Sequence, residues 1–275
     1  MLKNLVITVS ILGGLGLIFG LALAFASKKF AVAVDDKVAK IRAILPGANC
    51  GACGFSGCDA FAENLAAGRA KVNGCSVGGK ELAADLGDML GEKPGEVEQF
   101  IARVMCGGTW TKCKQKYTYR GIVDCNAAAN LHGGPSACPF GCVGMGDCAR
   151  ACAFGAIEVE DGLARVNPAK CTGCGMCVQA CPKKIIKMVP VKSEYTVLCS
   201  STEKGAFVVK TCKAGCIGCG RCVKVCPSGA ITMKGPLAEI NPDLCTNCGE
   251  CMKVCPTKVI QNILFCPETG REVAG

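Results

Sequence analysis

The chain has 275 residues, of which 26 are cysteine and one is histidine, and its formal net charge is +9. That much cysteine points to a disulfide framework or to metal sites, and the charge raises nucleic acid or an anionic surface as a partner. Aromatic residues are only 5% and no nucleic-acid reader motif is present, so no nucleic acid is expected as a partner.

In chain order, the first element is Leu5 to Ala26, 22 residues without a charge. At about 20 residues per span it is long enough to cross a bilayer. A cleaved signal peptide is the alternative, with Ala24-Phe25-Ala26 as the small-residue site. The apolar run, however, exceeds the usual signal core of roughly 7–15 residues, and no twin-arginine pair precedes it. A retained anchor over residues 1–30 is expected. Lys3 precedes the span, while Lys28, Lys29, Lys37, Lys40 and Arg42 follow it. That bias puts the bulk of the chain on the cytoplasmic side of the membrane, single-pass. Gly13, Gly16 and Gly20 give the span a small-residue face for another membrane helix.

Asp35 to Leu45 reads as a short amphipathic helix with Val38, Ile41, Ile44 and Leu45 on one side, stopped by Pro46-Gly47. Cys50, Cys53 and Cys58 follow within a glycine-rich loop, then a helical stretch from Asp59 to Ala70, then Cys75. Glycines between the cysteines let the backbone wrap closely and turn its amides toward sulfur. Three clustered thiolates and a remote fourth suit a cubane iron–sulfur cluster, with a zinc site as the alternative. Residues 31–80 form this small helical domain. Residues 76–100 read as a connecting helical segment broken at Gly91 to Gly95, within a linker and Cys-containing segment at 81–124.

The cysteines beyond are the strongest signal. Three runs have the spacing x2, x2, x3 with proline after the last: Cys171, Cys174, Cys177 and Cys181; Cys216, Cys219, Cys222 and Cys226; Cys245, Cys248, Cys251 and Cys255. This is the two-cluster ferredoxin pattern, in which each run gives three thiolates to one cubane and its fourth to the other. Disulfide frameworks do not space cysteines this way, and zinc sites often recruit histidine, of which only His132 is present. Seven cysteines from Cys142 to Cys181 recur 74 residues later, from Cys216 to Cys255. Short apolar strands follow the runs at Ala156–Val159, Ile185–Met188, Ala230–Met233 and Val259–Asn262. The fold class is therefore α+β. One transmembrane helix and a small helical 4Fe-4S domain precede two tandem two-cluster ferredoxin-like modules at 125–190 and 191–275. With so few aromatics, metal ligation must supply much of the folding free energy there.

In the second module, Cys216, Cys219, Cys222 and Cys255 take one cluster, and Cys226, Cys245, Cys248 and Cys251 the next. In the first, the position equivalent to Cys219 is Met145. The nearest substitute is Cys138, so Cys138, Cys142, Cys148 and Cys181 are expected to hold one cubane and Cys152, Cys171, Cys174 and Cys177 the other. A three-iron cluster at Cys142, Cys148 and Cys181 is the competing outcome, and Met145 is a packing residue. With Cys50, Cys53, Cys58 and Cys75 this makes about five [4Fe-4S] clusters. Cys106, Cys113, Cys125, Cys199, Cys212 and Cys266 remain. Either they are buried thiols, some inherited from the duplicated unit, or they build a sixth cluster around Cys106, Cys113 and Cys125. Each oxidised cluster with its thiolates carries about −2, which brings the loaded chain to about −1, so the lysines mostly balance the cofactors.

A membrane helix, then Cys-Gly-Ala-Cys-Gly-Phe-Ser-Gly-Cys from Cys50 to Cys58 with a later Cys75, then ferredoxin modules, resembles the B subunits of Rnf complexes over essentially the whole chain. Lys116-Tyr117-x-Tyr119-x-Gly121-x-x-Asp124-Cys125 and the extra module resemble the longer forms found in anaerobes. The resemblance implies a membrane complex that oxidises reduced ferredoxin, reduces NAD and pumps sodium ions or protons. This subunit would take electrons from soluble ferredoxin and pass them to the other membrane subunits. The alternative is a related complex run in reverse to keep a redox sensor or low-potential acceptor reduced. No Gly-x-Gly-x-x-Gly follows a strand, so the NAD site belongs to a partner. Lys183, Lys184, Lys187, Lys213, Lys224, Lys253 and Lys258 are either a docking face for an acidic ferredoxin or solvated charge offsetting the clusters. His132 and Trp110 are expected to be structural.

Overall fold

The computed structural model describes residues 2–29, 35–96, 98–262, 265–266 and 271–272. α1 (Leu2–Lys29) is one uninterrupted helix. Its stretch Val9–Lys29 is long and apolar enough to cross a membrane. Leu12, Leu17, Ile18, Leu21 and Leu23 are all exposed, so apolar groups cover the helix on every side and call for an apolar surround rather than water.

The next three helices form a small domain. α2 (Asp36–Ile44) starts where the Asp35 carboxylate accepts the Lys37 amide at 2.9 Å, a capping bond that satisfies one orphan helix donor. Its fully buried Ile41 packs with Phe61, Ala62 and Leu65 of α3 (Cys58–Ala66) and with Leu82 and Leu86 of α4 (Gly79–Leu90). Arg42 bonds Asp59 and ties α2 to α3. The helix expected to reach Ala70 ends at Ala66. Gly68 turns left-handed at φ +68, and the Asn64 carbonyl takes the amides of both Arg69 and Ala70. α4 stops at Gly91, also left-handed.

The remainder is built twice. The first copy contains β1 (Phe100–Val104), α5 (Cys125–Asn130), α6 (Asp147–Arg150), β2 (Ile157–Glu160), β3 (Leu163–Val166), α7 (Met176–Ala180) and β4 (Ile186–Pro190). The second contains β5 (Tyr195–Val197), α8 (Gly205–Thr211), α9 (Arg221–Val225), β6 (Ile231–Lys234), β7 (Leu237–Ile240), α10 (Glu250–Lys253) and β8 (Ile260–Asn262). The two-residue strands β9 (Phe265–Cys266) and β10 (Arg271–Glu272) pair at the end of the described chain. In each copy two antiparallel pairs form: β2 with β3 and β1 with β4, then β6 with β7 and β5 with β8. The β2–β3 turn places Asp161 and Gly162 at φ 44 and 68, the two positive values that a two-residue hairpin turn matched to strand twist requires.

The copies differ at one strand. β2, β3 and β4 recur 74 residues on as β6, β7 and β8, but the counterpart of β5 is 121–123, which is not a strand. β1, from the segment expected to be a linker, pairs with β4 instead, Val104 opposite Ile186. The displaced Ile122 and Val123 are left 75% and 66% exposed.

Each copy has a compact core in which cysteine is a large part. Ala102, Val104, Ile157, Leu163, Ala164, Ile185 and Ile186 surround Cys148 and Cys177 in the first. Val197, Ile231, Ala238, Val259 and Ile260 surround Cys216, Cys222 and Cys251 in the second. The four shortest helices carry Cys148, Cys177, Cys222 and Cys251, and a left-handed glycine precedes each: Gly146, Gly175, Gly220 and Gly249. α6 packs on α7, and α9 on α10. Gly144 and Gly218, 74 apart, are needed for close approach as well as for their positive φ. A side chain at Gly144 would stand 2.4 Å from the Gly162 carbonyl oxygen, and one at Gly218 2.8 Å from that of Pro236.

Candidate metal centres

In the N-terminal domain, Cys50, Cys53, Cys58 and Cys75 border one cavity, walled by Pro46 and Phe61. Gly51 and Gly54 turn the loop through positive φ. The Asn49 side-chain oxygen accepts the Cys58 amide at 2.8 Å and anchors the start of α3. Burial raises the Cys75 thiol pKa, although the amides of Gly78 and Val77 point at its sulfur.

In the second copy Cys216, Cys219, Cys222 and Cys255 border a cavity beside Gly220 and Pro256. The neighbouring set is centred on Cys251, whose thiol is pushed up to about 11 by burial and then by Cys245, Cys222 and Cys248. Cys226 belongs with it by repeat, as the counterpart of Cys152. In the first copy Cys177 is pushed up to about 11 by burial, then by Cys171, Cys174 and Cys152. These sets are the ones that the spacing groups together.

The remaining set differs from expectation. Cys142, Cys148 and Cys181 border a cavity whose fourth cysteine is Cys125, not Cys138. Cys125 opens α5, and its amide donates to both Asp147 carboxylate oxygens, at 2.9 and 3.0 Å. Asp147 opens α6, the helix of Cys148, and is held by Arg150. The carboxylate therefore fixes the two helices against each other and brings Cys125 to the cavity. Burial, then Cys142 and Cys125, push the Cys148 thiol up to about 12. Cys138 stands at a different cavity. It precedes a tight turn in which the Gly141 amide donates back to its own carbonyl at 3.2 Å, so nearness in sequence does not carry it to Cys142's cavity. Met145 packs against Cys125, Ala128 and Val143. Among the described residues no three His, Cys, Asp or Glu are drawn together tightly enough to hold a single ion. The thiols stand around cavities instead. An all-thiol donor set, room between the sulfurs and amides turned toward them fit a [4Fe-4S] cluster.

Burial raises Cys75, Cys125, Cys142, Cys148, Cys177, Cys222 and Cys251 because a thiolate loses its hydration there. Iron supplies the positive charge that makes the thiolate the stable form, so ligation and folding are linked. Sequence reasoning missed Cys125 and its positioning residue Asp147. The one available signal was that Cys125 and Cys199, like Cys138 and Cys212, obey the 74-residue offset.

Family models agree with these positions. A model of an Fe-S cluster domain matches residues 45–77, a 4Fe-4S binding domain matches 164–187, and a 4Fe-4S dicluster domain matches 215–259. The chain is 44% identical to the B subunit of the Na(+)-translocating ferredoxin:NAD(+) oxidoreductase complex of Acetobacterium woodii, across 89% of this chain and 74% of the relative. It is 42% identical to the B subunit of the ion-translocating oxidoreductase complex of Methanosarcina acetivorans, across 88% and 92%. It is 43% identical to the B subunit of the proton-translocating ferredoxin:NAD(+) oxidoreductase complex of Clostridium ljungdahlii, across 84% and 82%.

Replacing Cys125 by alanine is expected to perturb the same cluster as Cys148→Ala, removing about four iron atoms per chain or leaving a three-iron core, while Met145→Leu removes none. Iron analysis with electron paramagnetic resonance of the anaerobic protein checks this. Unchanged iron and spectra in Cys125→Ala would return the fourth position to another residue.

Proposed function

We propose that this chain, which belongs to the B-subunit family of ion-translocating ferredoxin:NAD(+) oxidoreductase (Rnf) complexes, accepts electrons from reduced soluble ferredoxin and passes them to membrane partners. Family membership makes it an iron–sulfur electron-transfer subunit of an oxidoreductase complex. When bound, each cluster supplies a one-electron carrier whose potential follows local charge, hydrogen bonding and solvent exposure. The proposed ligand sets are Cys50, Cys53, Cys58 and Cys75; Cys125, Cys142, Cys148 and Cys181; Cys152, Cys171, Cys174 and Cys177; Cys216, Cys219, Cys222 and Cys255; and Cys226, Cys245, Cys248 and Cys251.

The observation that carries the choice of docking face is exposure. Cys219 and Cys248 are the only two exposed cysteines among the described side chains, and both lie in the second copy. Arg221, Lys224, Lys253 and Lys258 are exposed in the same copy, Lys253 paired with Glu250, and so are Val225, Leu244 and Met252. Exposed basic and apolar groups together suit an acidic partner protein, the charges setting encounter rate and the apolar groups the contact. Lys183 fits docking less well: its ammonium donates to the Pro139 carbonyl at 2.9 Å. The apolar N-terminal helix and the membrane-complex relatives fit anchoring at a membrane. We place the folded domains on the cytoplasmic side, with the 50–75 site next to the bilayer because it follows the anchor most closely. Ion translocation and the NAD site are assigned to partner subunits.

In anaerobic stopped-flow, Lys224→Glu with Lys258→Glu is expected to slow reduction by ferredoxin on the order of tenfold at low salt, with the difference vanishing at high salt. An unchanged rate would move the docking face elsewhere. Cys53→Ala, its other clusters intact, is expected to be reduced by ferredoxin normally yet fail to pass electrons to the membrane subunits. A normal onward rate would reverse or relocate the path.

A further inference from the structure

Six cysteines stand outside the sets above: Cys106, Cys113, Cys138, Cys199, Cys212 and Cys266. The first five border a single cavity between the two copies. The copies are joined around it. The Lys114 amide donates to the Thr211 carbonyl at 2.9 Å, the Lys213 amide to the Lys112 carbonyl at 2.9 Å, and the Ser200 hydroxyl to the Met105 carbonyl at 2.8 Å.

Four of the five sulfurs are related by the duplication. Cys138 and Cys212 are 74 residues apart. Cys106 and Cys199 are not, yet they occupy the same place in the two copies, because β1 has taken the position that β5 holds. Cys106 follows β1 and its amide donates to Val104 at 2.8 Å; Cys199 follows β5 and its amide donates to Val197 at 3.0 Å. The residues just before them, Met105 and Leu198, donate to Ile185 and Val259, which are 74 apart. Their sulfurs receive the amides of Cys142 and Cys216, again 74 apart. Each copy thus contributes two sulfurs to the cavity, in matching positions.

The same four share a local geometry. The amide two residues ahead points at each sulfur: Gly108 for Cys106, Phe140 for Cys138, Ser201 for Cys199 and Ala214 for Cys212. Cys75 and Cys142, in sets already described, receive the amides of Val77 and Gly144 in the same way. Such amides stabilise sulfur that carries negative charge. Cys113 lacks this arrangement. Its sulfur bonds the Cys212 thiol, the Ser136 hydroxyl at 3.1 Å and the Cys138 amide, and its repeat position is Lys187. Gly108 keeps the cavity open, since a side chain there would stand 3.1 Å from the Cys212 sulfur and 3.7 Å from that of Cys106.

We propose that this cavity holds a sixth [4Fe-4S] cluster ligated by Cys106 and Cys138 from the first copy and by Cys199 and Cys212 from the second. Cys113 remains a thiol beside it. The inference rests on the reading that the other five sets hold clusters. It differs from the grouping around Cys106, Cys113 and Cys125 that the sequence left open. A cluster shared in this way fastens the two copies together, so its loss is expected to loosen their contact while leaving each copy's own pair of clusters in place.

The test is native mass spectrometry of the full-length anaerobic protein in detergent. Six clusters, about 24 iron and 24 sulfide, are expected for the wild type. Cys199→Ser with Cys212→Ser is expected to retain five, and Cys113→Ser six. Five clusters in the wild type, or six in the double variant, would overturn the proposal while leaving the functional reading intact. A cluster lost from Cys113→Ser would overturn the ligand set. A wild type with almost no sulfide would sink the functional reading itself. The wild-type count stands whether or not the double variant folds.

Discussion

Sulfur ligation to iron is the interaction on which the described domains depend. The two copies bury few large side chains, and cysteines are part of both buried cores. Burial holds Cys106 and Cys148 at about 12 and Cys177 and Cys251 at about 11 as thiols, by desolvation first and neighbouring sulfur second. Rings of thiolates packed without a cation would repel one another in a medium that screens them poorly. A metal core that binds four of them removes that repulsion and closes loops that no apolar contact spans. The glycines are placed to serve it: left-handed residues precede each ligand-bearing short helix, and Gly144 and Gly218 let a neighbouring turn approach.

Much of this was legible in the sequence because spacing within a run is local information. The x2, x2, x3 runs alone group Cys171 with Cys174 and Cys177, and Cys216 with Cys219 and Cys222. The four strands after the runs lie within one or two residues of where alternation puts them. What escaped were long-range pairings. β1 lies in a stretch with no feature marking it as a partner of β4, and only the three-dimensional arrangement shows it filling the slot of 121–123. Cys125 reaches its cavity through Asp147, a contact across 22 residues that no periodicity encodes. The end of α3 was missed because the apolar pattern continues to Ala70, whereas Gly68 decides the turn.

The imperfect repeat is informative for function. Where the second copy has Cys219, the first has Met145, and Cys125 borders the corresponding cavity. That exchange leaves Cys199, the repeat partner of Cys125, without a place in its own copy and available at the junction. The exchanged strand β1 leads to Cys106 and so to the cavity at which the two copies are joined. Such joining matters for a subunit whose relatives belong to membrane-bound redox complexes, since electron transfer needs carriers held at fixed separations. The exposed cysteines lie at one end of the sequence and the apolar helix at the other, which suits a carrier between a soluble donor and membrane partners.

The most direct measurement is the iron, acid-labile sulfide and zinc content of the purified anaerobic full-length protein. The account predicts equal iron and sulfide, at least about 20 of each per chain, and negligible zinc. Stoichiometric zinc with little sulfide would contradict it, because the cavities would then hold structural ions that carry no electrons.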